Sequence, residues 1–188
     1  MINLKKVFKK FNNKKVLIIG DAMIDAYMWG KINRMSPEAP VPIVEVKKHE
    51  NRLGGAANVA LNIQSLEATP ILFSIIGDDI HGKIFLELMQ KSNLSTDGIL
   101  VSNKRRTTLK TRVIANEKHQ LRIDEEETKP IDLEKKFINS FKDQINKFDV
   151  IILQDYNKGL LTKNVIKEVL KIANKFNIPT VVDPKKNN

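Results

Sequence analysis

Four short apolar runs constrain the fold of this chain most strongly, because each has the length of one strand. They occupy residues 16–19, 71–76, 150–153 and 180–182, and segments of helical length follow most of them. Continuous apolar residues, as opposed to alternating ones, are typical of strands buried on both faces of a parallel sheet. Buried strands that alternate with helices predict an α/β fold, with a doubly wound layer and right-handed crossovers.

Helices are predicted over residues 54–66, 80–91, 132–146 and 163–176. The N-terminal segment adds a short amphipathic helix, in which the apolar residues with helical spacing are Leu4, Val7, Phe8 and Phe11. Six of the first fifteen residues are lysines, so this segment carries more than half of the net charge of +10. We interpret it as a helix packed on the domain with a solvated lysine face; binding to a membrane or a polyanion is the alternative.

Polar and apolar residues alternate in residues 26–33, 41–48 and 98–124, which is typical of half-exposed strands. These strands do not fit the buried layer. We therefore expect them to form a small β-sheet lid from segments at about 26–48 and 98–124. We expect Trp29 on an apolar face of this lid that a second copy of the chain buries.

The length of 188 residues suits one domain, 1–188. No helix follows the strand at 180–182, so we expect an incomplete fold whose C-terminal part lies outside the sequence. With no cysteine, the chain has no disulfide or thiol chemistry. No apolar run is long enough to span a membrane, and 6% aromatic residues give little basis for nucleic-acid stacking. A cytoplasmic protein without membrane or nucleic-acid partners is expected.

Acidic residues follow each of the predicted buried strands. Asp21 and Asp25 follow the first, Asp78 and Asp79 the second, Asp155 the third, and Asp183 with Lys185 the fourth. One acid at such a position is usually a loop or helix-cap residue. Because ligands of open α/β sheets bind at the carboxyl ends of the strands, several acids at this edge together predict a site.

A second candidate feature is the Gly54-Gly55 start of the helix over 54–66, with Asn58 one turn in. Small residues let a ligand approach the backbone, and amides at a helix start bind hydroxyls or anions; close helix packing explains a Gly-Gly pair equally well. Two interpretations stay open for three basic residues of the alternating strands, Lys110, Arg112 and Arg122. They either bind a phosphate or are solvent-facing charges on an edge strand. The three histidines show no metal-ligand spacing.

Several motifs occur together in a familiar order. They are GDAMIDAYMWG, RMSPEAPVPIVEV, RLGGAANVALNIQSL, GDD, TLKTRVIA, QLRIDEE, LQDYNKGLLT and VVDPK. In this order the chain resembles the ribokinase-like (PfkB) carbohydrate kinases. Within them, SPEAPVP and DYNKG resemble the heptose 7-phosphate kinase domains of bifunctional ADP-heptose synthases. The resemblance implies a ribokinase-like sheet with helices on both faces, a β lid and a homodimer formed through that lid.

The resemblance also implies roles for the candidate residues. Those expected to bind the sugar hydroxyls are Asp21, Asp25, Gly54, Gly55 and Asn58, and those near the sugar phosphate are Lys110, Arg112 and Arg122. Those on the side of the ATP phosphates and Mg²⁺ are Asp155, Lys158, Asp183 and Lys185. The implied reaction is ATP-dependent phosphorylation of D-glycero-D-manno-heptose 7-phosphate at O1, which leads to ADP-heptose for the lipopolysaccharide core.

Two motifs of the family are missing from the sequence, the Asn-x-x-Glu metal motif and the Gly-Ala-Gly-Asp motif that carries the general base. We therefore expect no catalytic base within these 188 residues, and no activity from them alone. Two other functions stay open. One is a family kinase for another sugar or a nucleoside, and the other is a non-catalytic sugar-binding module.

Overall fold

The computed structural model describes residues 4–185 and arranges them as two β-sheets. The strands, numbered in chain order, are β1 (Lys15–Gly20), β2 (Ala22–Met35), β3 (Pro42–Gly55), β4 (Thr69–Gly77), β5 (Ile99–Ser102), β6 (Thr108–Ala115), β7 (Lys118–Glu125), β8 (Val150–Gln154) and β9 (Thr180–Asp183). The larger sheet is parallel, with the order β5-β4-β1-β8-β9. The four predicted strands are β1, β4, β8 and β9, so the doubly wound layer is confirmed, but the burial predicted for the fourth strand is wrong because β9 is exposed.

The central strand of the larger sheet is β1. Its Ile18 pairs with Leu72 of β4 on one side and with Ile152 of β8 on the other. Leu17, Ile18 and Ile19 are fully buried. Burying a side chain of this size stabilises a fold by roughly 1.5–3 kcal/mol, so the apolar run in β1 contributes strongly to the layer.

Helices cover both faces of the larger sheet. They are α1 (Leu4–Phe8), α2 (Ala56–Ser65), α3 (Ile80–Lys91), α4 (Glu134–Gln144) and α5 (Lys163–Lys175), with a 3₁₀ turn over Ile145–Lys147. On one face, Leu17 packs in a core with Phe137 of α4 and Val169 of α5. On the other face, Ile18 packs with Ala57 of α2 and Phe85 of α3. The predicted bounds of α2 to α5 are correct to within two residues.

The N-terminal helix α1 is shorter than its apolar spacing predicts. Phe11 lies beyond it, packs against the core next to α2, and contacts the Phe8 ring edge-on with 5.7 Å between centroids. Lys9 and Lys10 are exposed, as the interpretation of a packed helix with a solvated lysine face predicts. Among residues 4–185, no helix is both long and apolar enough to cross a membrane.

The second sheet has the order β3-β2-β6-β7, and it lies outside the larger sheet as predicted for the lid. β2 pairs antiparallel with β3 and parallel with β6, which in turn pairs antiparallel with β7. The predicted segment 98–124 is too wide, because Ile99–Ser102 forms β5 at the edge of the larger sheet. Ile99, Leu100 and Val101 are a continuous apolar run, which suits that parallel edge better than an alternating strand.

The two faces of the second sheet differ in character. Ile24 and Ala26 of β2 pack into the core next to α2. Farther along, Leu121 and Ile123 of β7 are 49% and 46% exposed. Trp29 does not share their face, because its ring stacks on Tyr27 with 5.9 Å between centroids and both alternate with the core-facing residues. The expectation that Trp29 lies on the apolar face is therefore wrong.

The last described strand, β9, is the edge of the larger sheet. Its Val181 and Val182 are both exposed, whereas the same sheet buries Ile151 and Leu153 in β8. Within residues 4–185, this edge is the uncovered one that the sequence predicts next to the strand at 180–182.

The junction of β3 and α2 predicts a stability effect. Gly55 has φ of 59°, and a β-carbon there would collide with the backbone oxygen of Asp21. We expect Gly55→Ala to lower the free energy of unfolding by roughly 1–3 kcal/mol in urea denaturation. The control is Glu67→Gly, since Glu67 after α2 also has positive φ, at 65°, and glycine adopts it without strain. The prediction fails if Gly55→Ala is as stable as the unmodified chain.

Candidate functional site

The site lies where the chain crosses from the larger sheet to the second sheet. Asp21 is the single residue between β1 and β2, and its backbone oxygen accepts a hydrogen bond from the amide of Ala56, the first residue of α2 (3.0 Å). Buried Ser74 holds the same crossing: its hydroxyl donates to the oxygen of Gly20 (2.7 Å) and accepts from the amide of Ala22 (3.0 Å). The end of β1 and the starts of β2 and α2 therefore meet at one point.

The carboxylate of Asp21 is occupied by the protein itself. Its Oδ2 accepts from the amides of Tyr156 (3.0 Å) and Lys158 (3.1 Å), and its Oδ1 accepts from the amide of Leu160 (3.2 Å). The residue is 4% exposed. Burial raises the pKa of Asp21, and the three amide hydrogen bonds oppose that increase. Asp21 therefore fixes the loop after β8, and its role as a sugar ligand stays a prediction.

Asp25, four residues later on β2, is placed differently. Its Oδ1 accepts from Nη1 of Arg112 on β6 at 2.5 Å, and both side chains are partly exposed. A β-carbon at Gly54 would lie 2.6 Å from Oδ2 of Asp25, so glycine at this position makes room for the Asp25 carboxylate. Asp25 thus presents one carboxylate oxygen beside the start of α2, as the prediction requires.

The start of α2 lies next to Asp25. Within α2, the first turn has no acidic residue, and its N-cap Gly55 supplies no side-chain hydrogen bond. Asn58, in this first turn, is exposed. The backbone amides of this turn that follow Ala56, and the side-chain amide of Asn58, can therefore donate to an incoming hydroxyl or anion.

The loop after β8 brings Tyr156 into the site, a residue that the sequence analysis did not single out. Burial raises the pKa of Tyr156, and the charges of Asp183 and Asp25 raise it further. Tyr156 is therefore near the acid of β2 and the acid of β9 together. The one sequence signal for it is its place in the Asp-Tyr-Asn-Lys-Gly segment.

Lys158 is directed to the second sheet, and not to the edge at Asp183 as expected. Its Nζ donates to Glu126, just after β7 (2.8 Å), and its backbone oxygen accepts from Arg105 (2.7 Å). Burial lowers the pKa of Arg105. Lys158 is therefore a bridge between the loop after β8 and the lid. Arg105 lies far from Lys158 in sequence, so no local pattern indicates its role.

Lys110, Arg112 and Arg122 share one face of the second sheet, and each has a carboxylate partner. Lys110 donates to Asp124 (2.8 Å) and to Glu126 (2.6 Å). Arg122 donates to Asp124 from two nitrogens (2.8 and 2.9 Å). Lys110 and Arg122 are therefore not simply exposed to solvent, because carboxylates on β7 and just after it accept their hydrogen bonds. For the same reason they are not fully available to a ligand.

The residues expected on the nucleotide side lie at the ends of β8 and β9. Asp183 accepts from the amide nitrogen of the Gln154 side chain (2.5 Å). Buried Asp155 accepts from the backbone amides of Asn157 (2.7 Å) and Lys185 (3.4 Å). Among residues 4–185, no three His, Asp or Glu side chains are grouped as metal ligands.

The acid after β4 has the structural role that is usual at such a position. Asp79 caps α3 by accepting from the amide of Gly82 (2.7 Å), and it also accepts from the amide of Thr107 (2.7 Å). Burial is the largest single influence and raises the pKa of Asp79, but the hydrogen bonds together outweigh it, so the pKa is lowered. It therefore fixes the entry to β6 and takes no part in the site.

A family description for pfkB family carbohydrate kinases matches residues 13–188. The chain belongs to this family. Among its curated relatives, the bifunctional protein HldE of Helicobacter pylori (strain HPAG1) is 45% identical over 174 residues, which are 92% of this chain and 38% of that protein. The bifunctional protein HldE of Pelobacter propionicus is 41% identical over 185 residues, 97% of this chain and 38% of that protein.

Solved structures with low sequence identity share the fold. A Staphylococcus aureus protein described as a putative phosphofructokinase matches with a TM-score of 0.71 and 12% identity, over 92% of this chain and 54% of that one. Arabidopsis thaliana ribokinase, solved with ribose and ATP, matches with a TM-score of 0.62 and 16% identity, over 92% and 54%. The ribokinase-like fold is confirmed, and the chain spans about half the length of these structures.

The three amides on Asp21 predict a large effect of a small substitution. In Asp21→Asn, an NH₂ group replaces one oxygen, so at least one buried amide loses its acceptor. An unsatisfied buried donor costs roughly 1–3 kcal/mol, and we expect the free energy of unfolding to fall by that amount. Urea denaturation measures the change.

The matched control is Asp143→Asn, because Asp143 is exposed on α4. We expect it to change the free energy of unfolding by less than about 0.5 kcal/mol. Equal stability of the two variants would contradict the structural role of Asp21.

Proposed function

We propose that this chain is the sugar-binding part of a kinase that phosphorylates D-glycero-D-manno-heptose 7-phosphate at O1, for ADP-heptose and lipopolysaccharide core synthesis. The observation that carries the proposal is the open carboxylate oxygen of Asp25, next to Gly54 and the first turn of α2. The choice of sugar is supported by the SPEAPVP and DYNKG segments and by 41–45% identity with HldE proteins.

The sugar hydroxyls are bound between Asp25 and the start of α2. The carboxylate of Asp25 accepts from hydroxyls, while the Asn58 side chain and the first-turn amides donate to them. Arg112 orients Asp25, because its guanidinium donates to Oδ1 and leaves Oδ2 for the sugar. Gly54 and Gly55 let the Asp25 carboxylate and the Asp21 backbone oxygen lie against the end of β3, beside the proposed sugar site.

ATP with Mg²⁺ is the proposed phosphoryl donor, on the side of Asp155, Asp183 and Lys185 at the ends of β8 and β9. Mg²⁺ is commonly held by one or two carboxylates together with substrate phosphates, which fits the carboxylates of Asp155 and Asp183. The nucleotide supplies a transferable phosphoryl group, and the positive charge of Lys185 favours its phosphates. Tyr156 is close enough to both Asp183 and Asp25 for their charges to raise its pKa.

No general base is assigned among these residues, because the Gly-Ala-Gly-Asp segment expected to carry it does not occur in the sequence. Phosphoryl transfer depends on positioning and electrostatic stabilisation. We therefore propose that the 188-residue chain binds the sugar phosphate and does not release ADP, whereas the full-length gene product does both.

We also propose a cytoplasmic homodimer formed through the apolar face of the second sheet. Leu121 and Ile123 are half-exposed there, opposite the buried Val113 and Thr111. Large apolar side chains on one face of a small sheet are typical of an interaction surface.

The function predicts that Asp25→Asn weakens binding of heptose 7-phosphate without a comparable loss of stability. Replacing a charged hydrogen-bond acceptor costs roughly 1.5–3 kcal/mol, or about 10–100-fold in affinity. Calorimetric titration of the 188-residue chain measures binding, and ADP release by the full-length gene product measures turnover. The free energy of unfolding is expected to fall by less than about 1 kcal/mol, because the ion pair with Arg112 is partly exposed.

The same titrations separate the alternatives. Equal or tighter binding of ribose, fructose 6-phosphate or adenosine would assign another family substrate. Heptose 7-phosphate binding without ADP release by the full-length gene product would assign a non-catalytic binding module. If Asp25→Asn binds as well as the unmodified chain, the proposed sugar site is wrong.

The dimer predicts that Ile123→Glu shifts the chain from dimer to monomer in sedimentation velocity, because a buried unpaired carboxylate opposes association. The control is Val101→Glu, since Val101 on β5 is 46% exposed, like Ile123, and belongs to the other sheet. A monomeric unmodified chain, or equal effects of both substitutions, would contradict the proposed interface.

A further inference from the structure

The segment between β5 and β6 contains three consecutive cations, and of these only the middle one is turned into the protein. Lys104 and Arg106 are exposed, whereas Arg105 is half-buried. Nε of Arg105 is fully buried and has no hydrogen-bond partner among residues 4–185. An unpaired buried donor destabilises a fold, so the burial of this side chain calls for a role that a surface arginine does not have.

The backbone on either side of Arg105 is anchored. Before it, the hydroxyl of buried Ser102 donates to Asp132 (2.8 Å). After it, the amide of buried Thr107 donates to Asp79 (2.7 Å). Both anchors lie close to Arg105 in the chain, so its side chain extends from a fixed base.

The guanidinium of Arg105 reaches the loop after β8. Its Nη2 donates to the backbone oxygen of Lys158 at 2.7 Å. Burial lowers the pKa of Arg105, and the charges of Asp21, Glu127 and Asp132 oppose that decrease. A hydrogen bond from a charged group is stronger than one from a neutral group, so this contact holds the Lys158 oxygen firmly.

The backbone of Lys158 is held from two sides. Its amide donates to the carboxylate of Asp21 (3.1 Å), and its oxygen accepts from Arg105. The next residue, Gly159, has φ of 89°, and a β-carbon there would collide with the backbone oxygen of Lys129. Glycine lets the adjoining peptide group rotate at little cost, so the orientation of the Lys158 oxygen depends on its hydrogen bond to Arg105.

The side chain of Lys158 connects this loop to the second sheet. Its Nζ donates to Glu126 (2.8 Å), which also accepts from Nζ of Lys110 (2.6 Å). These three side chains are largely buried, and Lys110 is directly opposite Asp25 in the β2–β6 register. Charges that are largely removed from water depend on close pairing, so a displaced Lys158 also displaces its partners beside Asp25.

We propose that Arg105 is a positioning residue for the sugar site. The inference rests on the proposed function, since it takes Asp25 as the acid that binds the sugar. Arg105 fixes the Lys158 peptide, and Lys158 with Glu126 fixes the base of the second sheet against the loop after β8. Asp25 lies at that base, so its place beside the start of α2 depends on the same contacts.

The test is calorimetric titration of Arg105→Gln in the 188-residue chain with heptose 7-phosphate. We expect the affinity to fall about 3–30-fold, the range typical of coupling through a network of contacts. The stoichiometry of binding is expected to stay near that of the unmodified chain. A merely structural role would do the opposite, because unfolded molecules lower the stoichiometry and leave the affinity of the folded molecules unchanged.

Steady-state kinetics of the full-length gene product give a second measurement. In Arg105→Gln we expect KM for the sugar phosphate to rise by the same factor and KM for ATP to change by less than about twofold. The reason for the difference is that the contacts of Lys158 lead to the second sheet, whereas ATP is proposed to bind at the ends of β8 and β9.

The matched control is Arg106→Gln, because Arg106 is the next residue, is exposed and pairs with Glu127 (3.6 Å). It removes the same charge, and we expect less than about a twofold change in affinity. Arg105→Lys keeps the charge and a donor on a shorter side chain, so we expect it to recover part of the lost affinity. If Arg105→Gln does not fold, Arg105→Lys takes its place, with an expected loss of about 2–10-fold.

The outcomes separate this inference from the proposed function. Heptose 7-phosphate binding with unchanged affinity in Arg105→Gln, or with an equal loss in Arg106→Gln, overturns the positioning role and leaves the kinase proposal intact. A lower stoichiometry without a loss of affinity does the same. Binding of a different sugar phosphate with the same dependence on Arg105 supports the positioning role and overturns the heptose substrate. Absence of binding by every sugar phosphate in the unmodified chain overturns both.

Discussion

The hydrogen bonds from three backbone amides to one buried carboxylate, that of Asp21, are the interaction on which the site depends. A buried carboxylate without hydrogen-bond donors would destabilise the folded state, and these three amides stabilise its charged form. Because Asp21 also terminates β1 and its backbone oxygen accepts from the first amide of α2, one residue sets the relative positions of β1, α2 and the loop after β8. Through Lys158 and Glu126, that loop also sets the position of the second sheet.

The second sheet is organised by charge as much as by its apolar side. Glu50 accepts hydrogen bonds from Lys48 and Arg52, which lower its pKa to about 2. Asp124 accepts hydrogen bonds from Lys110 and Arg122, which also lower its pKa. Such pairs at an exposed surface stabilise a fold little, so their main effect is to fix where the side chains point. A polar face with fixed side chains loses less conformational entropy when a charged ligand binds.

The sequence predicts the larger sheet well because continuous apolar runs and helical spacing are local signals, as in β1 and α3. It fails for β5, because the prediction joined the short apolar run of Ile99, Leu100 and Val101 to the alternating segment that follows it. It also fails to separate Asp21 from Asp25, since both are acids after the same strand. Their roles depend on partners far along the chain, Leu160 for one and Arg112 for the other. Arg105 and Tyr156 have no local signal for the same reason.

All four connections between the second sheet and the rest of the chain lie at one end of its strands. The chain enters or leaves at Asp21, at Gly55, before Thr108 and after Glu125, whereas the turns after Met35 and Ala115 lie at the far end. The second sheet is therefore attached to the rest of the chain at one end only. Fourteen residues of β2 extend about 46 Å at 3.3 Å per residue, so a 5° tilt at the base displaces the tip by about 4 Å. Asp25, only a few residues from the base, would stay nearly in place beside Gly54 during such a tilt.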